Sequence, residues 1–286
     1  MDEQDLEEEV IMTVASDTLT MMQNMQSQEL PFAVATVVRT VSVTAAKAGA
    51  KALILEDGTV VAGWIGGGCA RGATLKAARD AIADGQPRLI SIQPKDLLAD
   101  LGISAGETKE GIRYANNMCP SQGTMDIFVE PILPRPELVV MGASPVAVAL
   151  TEIAGAFGFD VTAAAPIKDH AALNDADHRI DGFDLPPAKR QRFIVVSTQG
   201  SGDELALSAA LAAEANYVTF VGSRKKAAAL TAALREKGAD EARLAALKAP
   251  AGLDIGAITP EEIALSILAE LVQVRRKSKA MPNPSV

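Results

Sequence analysis

The run Trp64-Ile65-Gly66-Gly67-Gly68-Cys69-Ala70-Arg71 holds the residues best placed to do chemistry. It follows an extended stretch, Lys51 to Val61, and opens a helix expected over Ala73 to Ala83. Gly66, Gly67 and Gly68 let the backbone approach a ligand closely, and the N–H groups of a helix start favour an anion. Cys69 then puts a reactive sulfur beside that anion site. A tight turn followed by one buried thiol accounts for the same residues, so both readings stand at this point. Cys119 lies in Cys119-Pro120-Ser121-Gln122-Gly123, where Ser121 and Gly123 leave room for a ligand. A buried inert thiol is the alternative there.

A second group of candidates follows the strands of the C-terminal half. Leu138 to Met141 reads as a short apolar strand ending at Gly142-Ala143-Ser144-Pro145. Of the dinucleotide fingerprint only Gly142 is kept; Ser144 stands at the second glycine, where a side chain crowds a pyrophosphate. The next strand ends in Ala163-Ala164-Ala165-Pro166, without the acid that would bind a ribose. Gln199 and Gly200 follow a core strand, where open parallel sheets form their ligand crevice. Gly222-Ser223-Arg224-Lys225-Lys226 follows another strand and starts a helix. Backbone N–H groups, a hydroxyl and three cations suit phosphate or another oxyanion; a capped helix with solvated charges is the plainer account. Asp254 sits in a shaped loop before Thr259-Pro260-Glu261-Glu262, a capping sequence with proline at the first helical position. Nothing places a serine or second carboxylate beside His170 or His178, so no triad is built from them.

These residues must be positioned by two kinds of architecture. The first part reads as α+β. A helix spans 6–27, followed by a buried strand from Phe32 to Val38 and a hairpin of Lys51–Leu55 with Val60–Gly63. A helix then runs to Asp84-Gly85, and strands follow at Leu89–Ile92 and Met125–Glu130. Residues 94–118 are polar and read as a loop with one helical turn. Pro131, Pro134 and Pro136 mark a stiff linker. Beyond it, short apolar strands alternate with helices, which means a parallel sheet with right-handed crossovers. The fold expected is α/β: an N-terminal α+β domain at 1–131, a linker at 132–137 and a Rossmann-like domain at 138–286.

Bulk properties narrow the function. A net charge of −9 and 3% aromatic residues argue against nucleic acid and against anionic membranes. The acidic start MDEQDLEEEV has no secretory pattern, and no apolar run reaches the ~18 residues of a membrane span. Two cysteines are too few for a disulfide framework, and no zinc-ligand spacing occurs. The chain is expected in the cytoplasm.

Five stretches, in this order, resemble the XdhC/CoxI family of molybdenum hydroxylase accessory proteins: AGWIGGGCARGATLKAAR, CPSQGTMDIFVEPILPRPELVVMGASPVA, STQGSGDELAL, YVTFVGSRKKAAAL and APAGLDIGAITPEEIALSILAE. The TQGSGDE stretch looks closer to the CoxF/CoxI-like, carbon monoxide dehydrogenase branch. The resemblance implies a maturation factor rather than an enzyme. Such a factor binds the molybdenum cofactor (molybdopterin or its cytosine dinucleotide form), supports its sulfuration and hands it to an apo molybdenum hydroxylase such as xanthine dehydrogenase. It also implies a homodimer, a cysteine desulfurase as a second partner, and Cys69 or Cys119 near molybdenum. Family members often carry histidine where Pro145 and Lys248 stand here. The competing readings are a nucleotide- or flavin-binding scaffold and an NAD(P)-dependent oxidoreductase.

Overall fold

The computed structural model describes residues 18–119 and 122–279. It divides into two compact units, Met1–Pro134 and Arg135–Val286.

In the first unit, helix α1 covers 18–27; residues 6–17 of the expected first helix lie outside the described residues. Then come β1 (Phe32–Val41), β2 (Lys51–Leu55), β3 (Val60–Gly63) and α2 (Gly68–Asp84). After these follow β4 (Arg88–Pro94), α3 (Lys95–Asp100), β5 (Thr108–Lys109), β6 (Ile112–Asn117) and β7 (Thr124–Ile132). The strands form one sheet in the order β3-β2-β1-β7-β4-β6-β5. The first six residues of β1 are almost all apolar because both faces are covered there. Ala33, Ala35 and Val37 meet Ala77, Ala78, Ala81 and Ile82 of α2, whereas Phe32 and Val34 meet Leu53 and Met25 of α1. Gly85 closes α2 in the left-handed conformation, its N–H donating to the Ala81 carbonyl at 2.8 Å. Residues 94–118 depart from the loop expected: β6 pairs in parallel with β4, and β5 pairs with β6. Strand β6 is half-buried along its whole length, so it lacks the apolar run that marks a core strand.

In the second unit the order is β8 (Glu137–Met141), α4 (Pro145–Ala154), β9 (Asp160–Ala165), β10 (His178–Asp181), β11 (Arg192–Val196) and α5 (Asp203–Ala212). It ends with β12 (Tyr217–Phe220), α6 (Arg224–Glu236), α7 (Glu241–Ala246) and α8 (Pro260–Lys279). The sheet order is β10-β9-β8-β11-β12, parallel throughout. Leu138, Val140, Phe193 and Val195 pack on one face with α4 and α8; Val139, Met141, Ile194 and Val196 pack on the other with α5 and α6. This is the Rossmann-like arrangement, with its topological switch point between β8 and β11. His178 lies on the polar edge strand β10. At the amino ends of the strands Arg192 Nε pairs with Glu137 at 2.6 Å, and the Thr162 hydroxyl donates to the same carboxylate at 3.1 Å. Nearby, Arg135 and Arg190 hold buried Asp160. These pairs anchor the end of the sheet remote from the candidate crevice.

Candidate functional site

In the first unit the glycine run carries the chain from edge strand β3 into α2. Ile65 is buried and anchors it, while Trp64 is 54% exposed. Gly67 is extended (φ −110°, ψ −175°) and stands at the N-cap, where no side chain caps the helix and no acid occupies its first turn. The first N–H groups of a helix have no partner within it, so this start can hold an anion. A side-chain atom added at Gly68 would lie 3.8 Å from the Cys119 sulfur. The Met118 N–H donates to the Cys69 sulfur at 3.4 Å, across 49 residues of sequence. Both thiols therefore lie at the start of α2, Cys69 half-buried and Cys119 exposed.

Asn117, at the end of β6, organises this arrangement. Its side-chain oxygen accepts from the Cys119 N–H at 3.0 Å and its amide donates to the Gly123 carbonyl at 2.6 Å. Gly123 is pressed against the backbone of Val43 and the side chain of Thr44, so its smallness serves loop packing. Gly66 comes close to Ala45. Ser121 lies outside the described residues. Asn117 and Met118 are the positioning residues that sequence reasoning missed, because their value depends on β6 being a strand.

In the second unit the candidates gather at the carboxyl ends of the strands. Gly142 (φ +105°) abuts Ser197 and Thr198, and any Cβ there would sit 2.6 Å from the Ser197 carbonyl oxygen. Ala143 follows it, and the Ser144 hydroxyl shares a 2.7 Å hydrogen bond with that of Ser197 while accepting from the Ala147 N–H at 3.2 Å. Ser144 is thus the N-cap of α4. Gln199 (φ +50°) and Gly200 form the turn into α5, and Asp203 fills that turn. Its carboxylate accepts from the Thr198 hydroxyl and from the Gly200 N–H at 3.0 Å, and it pairs with Lys226. Ser223 caps α6 by accepting from the Lys226 N–H at 3.2 Å, and Gly222 leaves room for the Phe220 ring. Of the three cations only Arg224 and Lys225 are exposed; Lys226 is spoken for by Asp203. Asp254 is exposed on the segment leading to α8, which Thr259 and Glu262 cap reciprocally. His170 Nε2 lies 2.8 Å from the Ala165 carbonyl, a structural contact.

Two family descriptions match this chain. "XdhC and CoxI family" covers residues 25–93, and "XdhC Rossmann domain" covers residues 138–271. Both stretches are domains of the XdhC family. The family match includes the glycine run, Cys69 and the crevice loops. YqeB, an uncharacterised protein of Escherichia coli K12, is 29% identical over 277 residues, which are 91% of this chain and 47% of that protein. A probable xanthine dehydrogenase component of Bacillus subtilis 168 is 28% identical over 163 residues, 54% of this chain and 47% of that protein. The chain therefore spans about half the length of the curated relatives it matches. A solved xanthine dehydrogenase structure from Bacillus halodurans is 22% identical, covering 93% of this chain and 97% of that one with a TM-score of 0.44. No helix among the described residues is long and apolar enough to cross a membrane.

The Asp203 contacts give a pH dependence. Burial pushes this carboxyl up, but the Lys226 ammonium, the Thr198 hydroxyl and the Gly200 N–H outweigh it and hold it below its ordinary value of 3.8. A carboxyl lowered by folding adds stability above its unfolded value and loses it as pH falls through the folded one. Asp203→Asn is therefore expected to be less stable than the parent at pH 7. The two urea-unfolding midpoints should converge as the solution is acidified below the ordinary carboxyl range; a constant gap down to full protonation would contradict the assignment.

Proposed function

We propose that this chain is an accessory protein of a molybdenum hydroxylase of the xanthine dehydrogenase type, and that it holds the molybdenum cofactor for delivery to the apoenzyme. The observation that carries the reading is the placing of both thiols at an uncapped helix start in an XdhC-family domain. The donor set fits the group: sulfur for a soft metal centre, and helix N–H groups for an anionic phosphate tail. Cys69 and Cys119 would stand beside the metal end, and the first turn of α2 would hold the anionic end. When bound, the cofactor supplies a redox-active metal on a dithiolene. The protein's part is to bind, orient and shield it. A carbon monoxide dehydrogenase is one client of this type, and sulfuration before handover would bring a cysteine desulfurase to the same face. The Rossmann-like crevice offers less to a dinucleotide, since Ser144 and Asp203 already fill its two turns.

The test is expression of the full chain in a host that makes molybdenum cofactor. Molybdenum and oxidised pterin are measured per chain for the parent, Cys69→Ala and Cys119→Ala. The parent should carry pterin, and at least one variant should lose it by roughly tenfold, the equivalent of one hydrogen bond to a charged group. A parent free of both pterin and molybdenum would overturn the reading.

A further inference from the structure

The two cysteines are the whole thiol content of the chain. From segments far apart in sequence both reach the start of α2: the Met118 N–H next to Cys119 donates to the Cys69 sulfur, and the Cys119 sulfur faces Gly68. Cys119 is exposed, next to Met118, which is 77% exposed; Cys69 is half-buried. No group of three or more His, Cys, Asp or Glu side chains among the described residues is arranged to hold a metal ion. A structural zinc site needs four ligands, so two thiols alone do not make one. What two neighbouring thiols of unequal exposure can do is exchange with a disulfide, the exposed one first and the half-buried one second.

We propose that Cys69 and Cys119 form a redox-active dithiol that reacts with small-molecule disulfides of the glutathione class. The Cys119 sulfur attacks the small disulfide RSSR, forming a mixed disulfide and releasing one RSH, which takes the Cys119 proton. The Cys69 sulfur then attacks Cys119 sulfur, the Cys119–SR bond breaks, and the second RSH leaves with the Cys69 proton. The protein dithiol is oxidised by two electrons and RSSR is reduced to two RSH. The product links the Cys119 loop to the start of α2 and leaves the chain without a free thiol. Exposed disulfides of this kind are the reducible, regulatory ones. The reaction needs no cofactor, so it stands or falls apart from the delivery reading.

The experiment incubates the full-length apo chain with oxidised glutathione under native conditions, followed by intact mass, thiol titration and protease mapping under acid quench. The parent should lose both thiols, retain no glutathione and yield a peptide joining Cys69 to Cys119. Cys69→Ser should instead accumulate a stable glutathione adduct on Cys119, persisting roughly tenfold longer than any adduct on the parent. The single tryptophan, Trp64, lies five residues before Cys69 and gives an independent signal. Its emission should change on oxidation of the parent and recover with dithiothreitol, while Cys69→Ser shows no such change. A parent that keeps a glutathione adduct on Cys119 and yields no joined peptide overturns the proposal, whatever either variant does.

Discussion

Gly142→Ala will lower the unfolding free energy of the second unit by about 4 kcal/mol, the sum of two costs. The first is conformational. At φ +105° an L side chain is strained, which costs roughly 1–3 kcal/mol. The second is steric, since the new Cβ would stand 2.6 Å from the Ser197 carbonyl oxygen and 2.8 Å from the Thr198 Cα. Those neighbours are backbone at the end of a fully buried strand and cannot swing aside, so the loop after β8 must lift. Overpacking of this sort costs roughly 1–3 kcal/mol. Urea unfolding followed by a probe in the second unit measures the loss; a shift below about 1 kcal/mol would mean that the two loops separate easily. The position also explains how the chain keeps one glycine of a dinucleotide fingerprint without the rest. Gly142 is needed to bring β8 and β11 together, whereas Ser144 caps α4.

The strands with two covered faces were legible as continuous apolar runs. The 32–37 stretch of β1, Leu138–Met141 and Phe193–Val196 alternate their side chains between two packed layers, so sequence alone marks them as buried. The Lys51–Leu55 and Val60–Gly63 hairpin was legible because a short turn joins strands adjacent in the chain. Strand β6 was not. Ile112-Arg113-Tyr114-Ala115-Asn116-Asn117 is half-buried and polar, and its partner β4 is separated from it by α3 and β5. With β6 hidden, each cysteine was visible singly and their common place at the start of α2 was not, because it depends on Asn117 turning the Cys119 loop toward α2. Lys226 is the converse case. Its charge is plain in the sequence, but its partner Asp203 belongs to another helix, and only folding shows that the carboxylate takes one of the three cations.

The glycines before Cys69 allow the delivery reading to be tested without touching sulfur. Gly67 is extended, and a Cβ there would meet nothing within 4 Å, so the backbone accepts an L residue. Aspartate is among the best N-cap residues, and its carboxylate would accept from the first-turn N–H groups of α2 and complement the helix dipole. Gly67→Asp should therefore unfold at the same urea concentration as the parent, or a few tenths of a kcal/mol higher. Its effect on binding should be opposite. The new carboxylate takes the donors that would hold an anionic cofactor tail, and a hydrogen bond to a charged group is worth roughly 1.5–3 kcal/mol. Pterin recovered per chain should fall by roughly tenfold to a hundredfold. Gly67→Asn separates capping from charge: it caps nearly as well but is neutral, so its loss should be smaller than that of the aspartate variant. Equal pterin in parent and Gly67→Asp would move the anionic end away from α2, even if Cys69→Ala had lost the cofactor. A fall in Gly67→Asp with undiminished stability, graded through Gly67→Asn, would tie the anion to the same helix start where the two thiols lie.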